Sequence, residues 1–160
     1  MPQDRASELV SLLSARGLTL ATAESCTGGL LAGRIVDVSG ASAVFMGGIV
    51  SYDNRVKREL LGVPAATLES HGAVSAETAT AMAEGAIARV GTTLGVSTTG
   101  IAGPGGAVPG KPVGTVYIAV AGLGATVARR HNFFGDRASI RAQAVDAALD
   151  MLLDYLRIQK

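Results

Sequence analysis

The chain has 160 residues, of which 48% are hydrophobic and 17% are charged. This length and composition exclude a disordered tail and suit one continuous core, so we expect a single domain over residues 1–160. The formal net charge of +1, with both signs interspersed, argues against sequence-independent binding of nucleic acid.

In the first half of the chain, hydrophobic spacing predicts a helix from about Asp4 to Arg16 and a second from about Thr27 to Val38. Strands are expected at residues 18–23 and 44–52. Asn54 is the expected N-cap of a third helix that Pro64 ends, and residues 65–72 are expected to form a turn.

In the second half, Ser75 is the expected N-cap of a long helix with a stripe of small apolar residues. A strand at 94–99 precedes a Gly- and Pro-rich loop, and residues 115–121 and 125–134 are typical of an antiparallel hairpin. Asp136 is the expected N-cap of the last helix. This order predicts an α/β fold: a three-layer α/β/α sandwich with a mixed β-sheet, in a single domain.

The N-terminal segment is amphipathic and carries acidic residues, unlike a signal peptide or a membrane span. The only cysteine, Cys26, leaves no partner for an intramolecular disulfide, as is usual in a reducing compartment. We therefore expect a cytoplasmic protein that contacts no membrane.

The sequence gives little support to a P-loop or to a histidine-based metal site. Gly105 to Lys111 resembles a P-loop, but Pro112 follows instead of Ser or Thr, and a strand follows instead of a helix. His71 and His131 have no companions at metal-ligand spacing, so we expect no metal site.

The segment "AESCTGG", residues 23–29, joins the first strand to the second helix. It would place the Ser25 hydroxyl at the carboxyl edge of the sheet, beside the unpaired N–H groups of the first helical turn. Such a site could stabilise the oxyanion of an acyl-transfer reaction. Simple capping of the helix by Ser25 or Thr27 would explain the same residues.

The segment "SYDNRVKREL" offers a base for Ser25. Lys57 falls in the first turn of a helix, where the helix dipole disfavours a cation, and neighbouring Arg55 and Arg58 add like charge. Both effects favour a neutral amine, most strongly if the amine is desolvated. A neutral amine can take the serine proton, and Tyr52 could hold the amine or relay a proton. A solvated surface lysine is the alternative.

The segment "FGDRASIR" offers a site for an anion. Arg137 directly follows the expected cap Asp136, so its guanidinium would lie beside free N–H groups and would suit a phosphate. A pair with Asp136 or another surface carboxylate is the alternative.

The three segments above occur together with "HGAVS", "TGIAGPGG" and "KPVGTVYIAV", which lie between the second and the third of them. In the order and spacing of all six segments, the sequence resembles the CinA C-terminal domain family in its stand-alone form, the nicotinamide mononucleotide deamidases. The resemblance covers nearly the whole chain. It implies an amidohydrolase that converts nicotinamide mononucleotide and water to nicotinic acid mononucleotide and ammonia, without a cofactor. It also implies that the separate N-terminal domain of larger members is not part of this chain.

The resemblance implies roles for individual residues. Ser25 would be the nucleophile, Lys57 its base and Tyr52 a supporting hydrogen-bonding group. Substrate binding would fall to Thr27, Gly28, Gly29, Thr99, Gly100 and Arg137, with Arg137 at the 5′-phosphate.

Other interpretations remain open at this point. Cys26 could be the nucleophile if a helix N-terminus lowers its pKa. The same pocket could serve a noncatalytic nucleotide-binding or regulatory module, or the domain could be purely structural. An alanine-rich helix in a small domain is compatible with a homodimer.

Overall fold

The computed structural model describes residues 4–159. Residues 1–3 and 160, which the expected domain includes, lie outside the described part. The helices are α1 (Arg5–Arg16), α2 (Leu30–Val36), α3 (Asn54–Leu61), α4 (Ala65–His71), α5 (Ala76–Val90) and α6 (Arg137–Ile158). The strands are β1 (Leu20–Glu24), β2 (Phe45–Val50), β3 (Leu94–Gly100), β4 (Thr115–Gly122) and β5 (Ala125–Asn132).

The five strands form one mixed sheet in the order β2-β1-β3-β4-β5. Strand β1 pairs in parallel with both β2 and β3, whereas β4 runs antiparallel to β3 and to β5. Helices α1, α2 and α6 cover one face, and α5 covers the other with α3 and α4 beside it. The predicted three-layer α/β/α sandwich with a mixed sheet is confirmed.

The two faces of the sheet differ in side-chain size because residues alternate along each strand. On β4, Val116, Ile118 and Val120 pack in the larger core under α1 and α6, whereas Ala119 and Ala121 pack with α5. Small side chains on the α5 side let that helix approach closely. A Cβ on Gly95 of β3 would lie 2.3 Å from the carbonyl oxygen of Ala83 on α5.

Most predicted elements are confirmed, and the local capping signals explain them. The Asp4 side chain caps α1, and Gly17 ends that helix in the left-handed conformation. Ser75 and Asp136 cap α5 and α6 as predicted, and β4 and β5 form the predicted hairpin.

The region before α5 differs from prediction. Asp53, not Asn54, caps α3, because its side chain accepts a hydrogen bond from the N–H of Arg55. Residues 65–72 were expected to form a turn, but most of them form α4. Gly62, in the left-handed conformation, ends α3 two residues before Pro64, and Pro64 is the N-cap of α4.

The second helix begins three residues later than predicted, at Leu30 rather than Thr27. Gly28 and Gly29 have positive φ values of 55° and 102°, which a right-handed helix does not accommodate. Residues 26–29 therefore form a turn, and this turn lies beside Ser25.

None of the helices described between residues 4 and 159 has both the length and the apolar character required to cross a bilayer.

Candidate active site

The site lies at the edge of the sheet where the parallel strands β1, β2 and β3 all end. Ser25 follows β1, Tyr52 follows β2, and Thr99 and Gly100 end β3. The starts of α3 and α6 bring Lys57 and Arg137 to the same place. A cavity of about 180 Å³ has these six residues among its walls. This edge is where open α/β sheets usually bind ligands.

Lys57 is buried, with only 1% of its surface exposed, so it is not a solvated surface lysine. Its Nζ lies 2.7 Å from the carbonyl oxygen of Ser51 and 3.3 Å from that of Tyr52. The third neighbour is the hydroxyl oxygen of Ser25, at 3.1 Å. The structure therefore brings the predicted nucleophile and base into hydrogen-bonding distance.

Burial lowers the pKa of Lys57, and the nearby carboxylate of Asp53 opposes this effect. From the sequence, the expected causes were the helix dipole and repulsion from Arg55 and Arg58, with desolvation of the amine strengthening both. Desolvation is the largest cause in the structure, and neither arginine contributes. Arg55 is instead paired with Glu59 at 2.7 Å on the protein surface. Removal of the amine from water favours its neutral form.

The neutral amine has two N–H groups and one lone pair, and its three oxygen neighbours decide how they are used. The carbonyl oxygens of Ser51 and Tyr52 can only accept hydrogen bonds. Only the Ser25 hydroxyl can donate to the lone pair. The two carbonyl oxygens therefore take the N–H groups of the neutral amine, and its lone pair is left to accept the proton of the Ser25 hydroxyl.

Glu24, directly before Ser25, is a buried carboxylate that occupies the start of α2. It accepts hydrogen bonds from the N–H groups of Leu31 and Ala32 at 2.9 and 3.1 Å, and from the Thr27 hydroxyl. The start of α2 was expected to present free N–H groups to a substrate. That expectation is wrong for Leu31 and Ala32, because Glu24 uses both groups.

Thr27, Gly28 and Gly29 shape the turn after Ser25, and none of them is among the described residues that line the cavity. The buried Thr27 hydroxyl donates to Glu24 and is also hydrogen-bonded to Thr98 at 2.7 Å. Within residues 4–159, the N–H groups of Cys26 and Thr27 donate to no backbone carbonyl. Of these two residues, only Cys26 lies in the cavity wall, because Thr27 is fully buried.

Arg141 of α6 is a residue of this region that sequence reasoning missed. Its Nε donates to the carbonyl oxygen of Cys26 at 2.9 Å, and its Nη2 donates to that of Thr27 at 3.1 Å. One signal was present in the sequence: Arg141 lies four residues after Arg137, and residues with this spacing share a helix face.

Cys26 is 6% exposed, and burial raises the pKa of its thiol to about 11. The alternative of a cysteine nucleophile required a lowered pKa at a helix N-terminus. That requirement is not met, because Cys26 lies in the turn and the N-terminal N–H groups of α2 are bound to Glu24.

Tyr52 and Arg137 contact each other at the mouth of the cavity. The Tyr52 side chain is 65% exposed, and its hydroxyl accepts a hydrogen bond from Arg137 Nη2 at 3.1 Å. The contact of Tyr52 with Lys57 is made by its backbone carbonyl instead of its phenol. Arg137 also donates to the carbonyl oxygen of Gly103 at 2.8 Å. No carboxylate in the described part of the chain forms an ion pair with Arg137.

Thr99 and Gly100 form the floor at the end of β3. The buried hydroxyl of Thr99 donates to the carbonyl oxygen of Ala73 at 2.8 Å and so ties the chain before α5 to the cavity. A Cβ on Gly100 would lie 2.8 Å from the carbonyl oxygen of Thr115. Gly100 therefore permits close packing of β3 against the start of β4.

The two histidines are not among the described residues that line the cavity. His71 is 3.5 Å from Glu77 on the surface, and His131 stacks on Phe133. Residues 4–159 contain no group of three or more His, Cys, Asp or Glu side chains arranged to hold a metal ion. Lys111, the lysine of the P-loop-like segment, donates to the carbonyl oxygen of His71 at 3.0 Å.

Comparison with known sequences identifies the family of the chain. The model of the CinA C-terminal domain matches residues 2–156. A CinA-like protein of Citrifermentans bemidjiense is 52% identical over 152 residues, which cover 95% of this chain and 37% of that protein. A putative competence-damage inducible protein of Clostridium acetobutylicum is 51% identical over 144 residues, covering 90% and 35%. The chain thus spans little more than a third of the length of these relatives.

Solved structures share the fold over almost their whole length. A competence/damage inducible protein from Agrobacterium tumefaciens has a TM-score of 0.88 at 40% identity, covering 98% of both chains. A CinA superfamily protein from Klebsiella pneumoniae has a TM-score of 0.92 at 35% identity, covering 97% of this chain and 99% of that one. The chain therefore belongs to the CinA C-terminal domain family.

Proposed function

We propose that this domain is an amidohydrolase that converts nicotinamide mononucleotide and water to nicotinic acid mononucleotide and ammonia. The observation that carries the proposal is the 3.1 Å contact between the buried Lys57 amine and the Ser25 hydroxyl. A serine activated by a neutral lysine is a nucleophile suited to acyl transfer. The choice of substrate follows the family resemblance of the sequence, and the position of Arg137 agrees with it.

In the first half of the reaction, Ser25 attacks the carboxamide carbon while Lys57 takes the hydroxyl proton. The C–O bond forms and the carbonyl oxygen becomes an oxyanion. The N–H group of Cys26, which lies in the cavity wall and donates to no backbone carbonyl, is the donor proposed to stabilise it. The C–N bond then breaks, and Lys57 returns its proton to the departing nitrogen, so ammonia leaves.

In the second half, water replaces ammonia in the site. The neutral Lys57 takes a proton from water as the oxygen attacks the nicotinoyl ester on Ser25. Return of that proton to the Ser25 oxygen releases nicotinic acid mononucleotide and regenerates the serine. Water and the amide are thus the only reactants that the balance requires.

Arg137 is the residue proposed to bind the 5′-phosphate. It lies in the cavity wall, and its guanidinium contacts only oxygens of Gly103 and Tyr52 within the described residues. A guanidinium without a carboxylate partner retains donors for a phosphate, which it can bind in a bidentate manner. Phosphate binding would hold the carboxamide in register with Ser25.

The test is release of ammonia from nicotinamide mononucleotide in chelator-treated buffer, by the wild type and by Ser25→Ala and Lys57→Met. Ser42→Ala, at an exposed serine before β2 and so at the opposite end of that strand from Tyr52, is the matched control. We expect the wild type and the control to release ammonia and both site variants to lose activity by at least about 10³-fold.

A folded wild type that binds the nucleotide but releases no ammonia would support the noncatalytic binding module instead. Absence of both binding and release would favour a purely structural domain.

A further inference from the structure

The wall of the cavity has a buried part and an exposed rim. The buried part contains five residues that are at most 8% exposed: Ser25, Cys26, Lys57, Thr99 and Ala102. The rim consists of the three wall residues that are exposed, which are Tyr52, Asn54 and Arg137. All three carry polar side chains, so a ligand whose reacting group reaches the buried part meets polar groups at the rim.

Asn54 is the rim residue whose polar groups are unused. Tyr52 and Arg137 are hydrogen-bonded to each other. Within residues 4–159, by contrast, the amide of Asn54 forms no hydrogen bond. An asparagine side chain has one carbonyl oxygen that accepts and an NH₂ group that donates. Both groups of Asn54 thus remain available to a ligand.

The capping of α3 explains why this amide is free. As the N-cap that the sequence predicted, Asn54 would accept a hydrogen bond from its own helix. Asp53 makes that bond instead, with the N–H of Arg55 at 2.8 Å, and Asn54 is the first residue of α3. Asn54 lies where the cavity meets a groove between α3 and α4. Its side chain therefore belongs to the cavity wall without a capping role.

The order of groups along the substrate decides which part of it reaches Asn54. The carboxamide has to enter the buried part of the cavity, because Ser25 and Lys57 lie there. The 5′-phosphate is assigned to Arg137 at the rim. The ribose joins these two ends, so its hydroxyls pass the rim, where Asn54 offers the free polar groups.

The two hydroxyls of a ribose fit an amide. Each hydroxyl can donate one hydrogen bond and accept another. The carbonyl oxygen of an amide can accept from one hydroxyl while its NH₂ group donates to the neighbouring one. A phosphate at the 5′ position fits less well, because its oxygens only accept and would repel the amide oxygen.

Resting on the proposed function, we infer that Asn54 is a substrate-binding residue that recognises the 2′- and 3′-hydroxyls of the ribose. The ligand class is a ribosyl phosphate that carries the reacting carboxamide. Asn54 would make the site selective for a ribonucleotide over a nucleotide that lacks these hydroxyls, since a polar side chain left without its partner costs affinity.

The experiment measures, by calorimetry, the dissociation constants of nicotinamide mononucleotide and of its 2′,3′-dideoxy analogue. All proteins carry Ser25→Ala, so that the ligand is not consumed. Asn54→Leu removes the amide at nearly constant side-chain size, and Asn54→Ala removes it together with the bulk. Asn132→Ala is the matched control, because Asn132 is an exposed asparagine that is not among the described wall residues.

We expect both Asn54 variants to bind nicotinamide mononucleotide about 5- to 50-fold more weakly, as for loss of two hydrogen bonds between neutral groups. The dideoxy analogue should bind more weakly to the parent protein, and the Asn54 variants should weaken it by less than about twofold further. Asn132→Ala should change neither constant, and thermal melting shows that each variant is folded. With Ser25 intact, kcat/KM for ammonia release should show the same dependence on the hydroxyls.

An equal loss of affinity for the two ligands would overturn the inference, since Asn54 would then act on another part of the nucleotide. Unchanged affinity in folded Asn54→Leu would overturn it as well. If nicotinamide mononucleotide is bound but the wild type releases no ammonia, the proposed reaction fails and the dissociation constants alone decide the role of Asn54. If neither binding nor release is detected, both proposals fail.

Discussion

The ε-amino nitrogen of Lys57 lies 3.1 Å from the hydroxyl oxygen of Ser25, although the two residues are 32 positions apart in the chain. The serine directly follows strand β1, and the first turn of α3 carries the lysine. Because the contact is buried, the amine is both a base and a source of instability: an ammonium without water around it raises the free energy of the folded state.

Activity should increase with pH through the lowered pKa of Lys57, because only the neutral amine can accept the serine proton. The midpoint should lie below the ordinary lysine value of 10.5. The measurement is kcat/KM for ammonia release above about pH 7, where the substrate phosphate, with a pKa of about 6, no longer titrates. A rate that stays constant up to the ordinary lysine pKa and rises only there would contradict a lysine base of lowered pKa.

Lys57→Met should stabilise the fold, and most strongly at the lower end of the pH range. Below the folded-state pKa of Lys57, the wild type buries an ammonium that the variant lacks. Between that pKa and the ordinary 10.5, the unfolded wild type holds a proton that the native state has lost, so wild-type stability rises with pH. Urea unfolding at several pH values should show the advantage of the variant shrinking as pH rises. An advantage that grows with pH would show that the linkage has the opposite sign.

Cys26→Ala should retain ammonia release and lose about 1 kcal/mol of stability, since it removes one buried sulfur atom. With a thiol pKa of about 11, roughly one thiol in a thousand is ionised at pH 8. Iodoacetamide should therefore react slowly with the wild type at this pH. Loss of activity in Cys26→Ala together with retention in Ser25→Ala would assign the nucleophile to Cys26.

Arg137→Met should discriminate between phosphorylated and unphosphorylated substrates. If the guanidinium binds the 5′-phosphate, the variant should lose about 10²-fold in kcat/KM for nicotinamide mononucleotide, as expected for loss of a charge-assisted bidentate contact. Turnover of nicotinamide riboside, which lacks the phosphate, should be slow in the wild type and unchanged in the variant. Tyr52→Phe, which removes the partner hydroxyl of Arg137, is the companion variant and should have a smaller effect. Equal losses on both substrates would place Arg137 at another part of the nucleotide.

Two helical glycines offer a matched test of the packing. A Cβ on Gly85 of α5 would lie 1.9 Å from the carbonyl oxygen of Leu61, so Gly85→Ala should destabilise the fold by about 2 kcal/mol. A Cβ on Gly33 of α2 would meet nothing within 4 Å, so Gly33→Ala should be neutral or stabilise it by up to about 1 kcal/mol. Chemical denaturation of both variants checks the difference, and equal effects would show that α5 does not pack against α3 as described.

Local signals in the sequence were sufficient for the elements whose ends are marked by side chains or glycine. Asp4 and Gly17 delimit α1, and Ser75 begins α5, because a cap needs only neighbours a few residues away. The same local reasoning misplaced the start of α2. Gly28 and Gly29 are compatible with a helix start or with a turn, and packing against Arg141 accompanies the turn.

The sequence by itself determined the α/β class, the family and the set of residues from which a site could be assembled. Residue type and period carry that information, and both can be read along the chain. Only the tertiary structure decided that Lys57 is buried against Ser25, that Glu24 occupies the start of α2, and that Arg141 holds the turn. These contacts join side chains to one another or to backbone groups that packing brings together, including partners on distant elements. Burial and hydrogen-bond direction, which give each group its chemistry, are therefore properties of the folded chain.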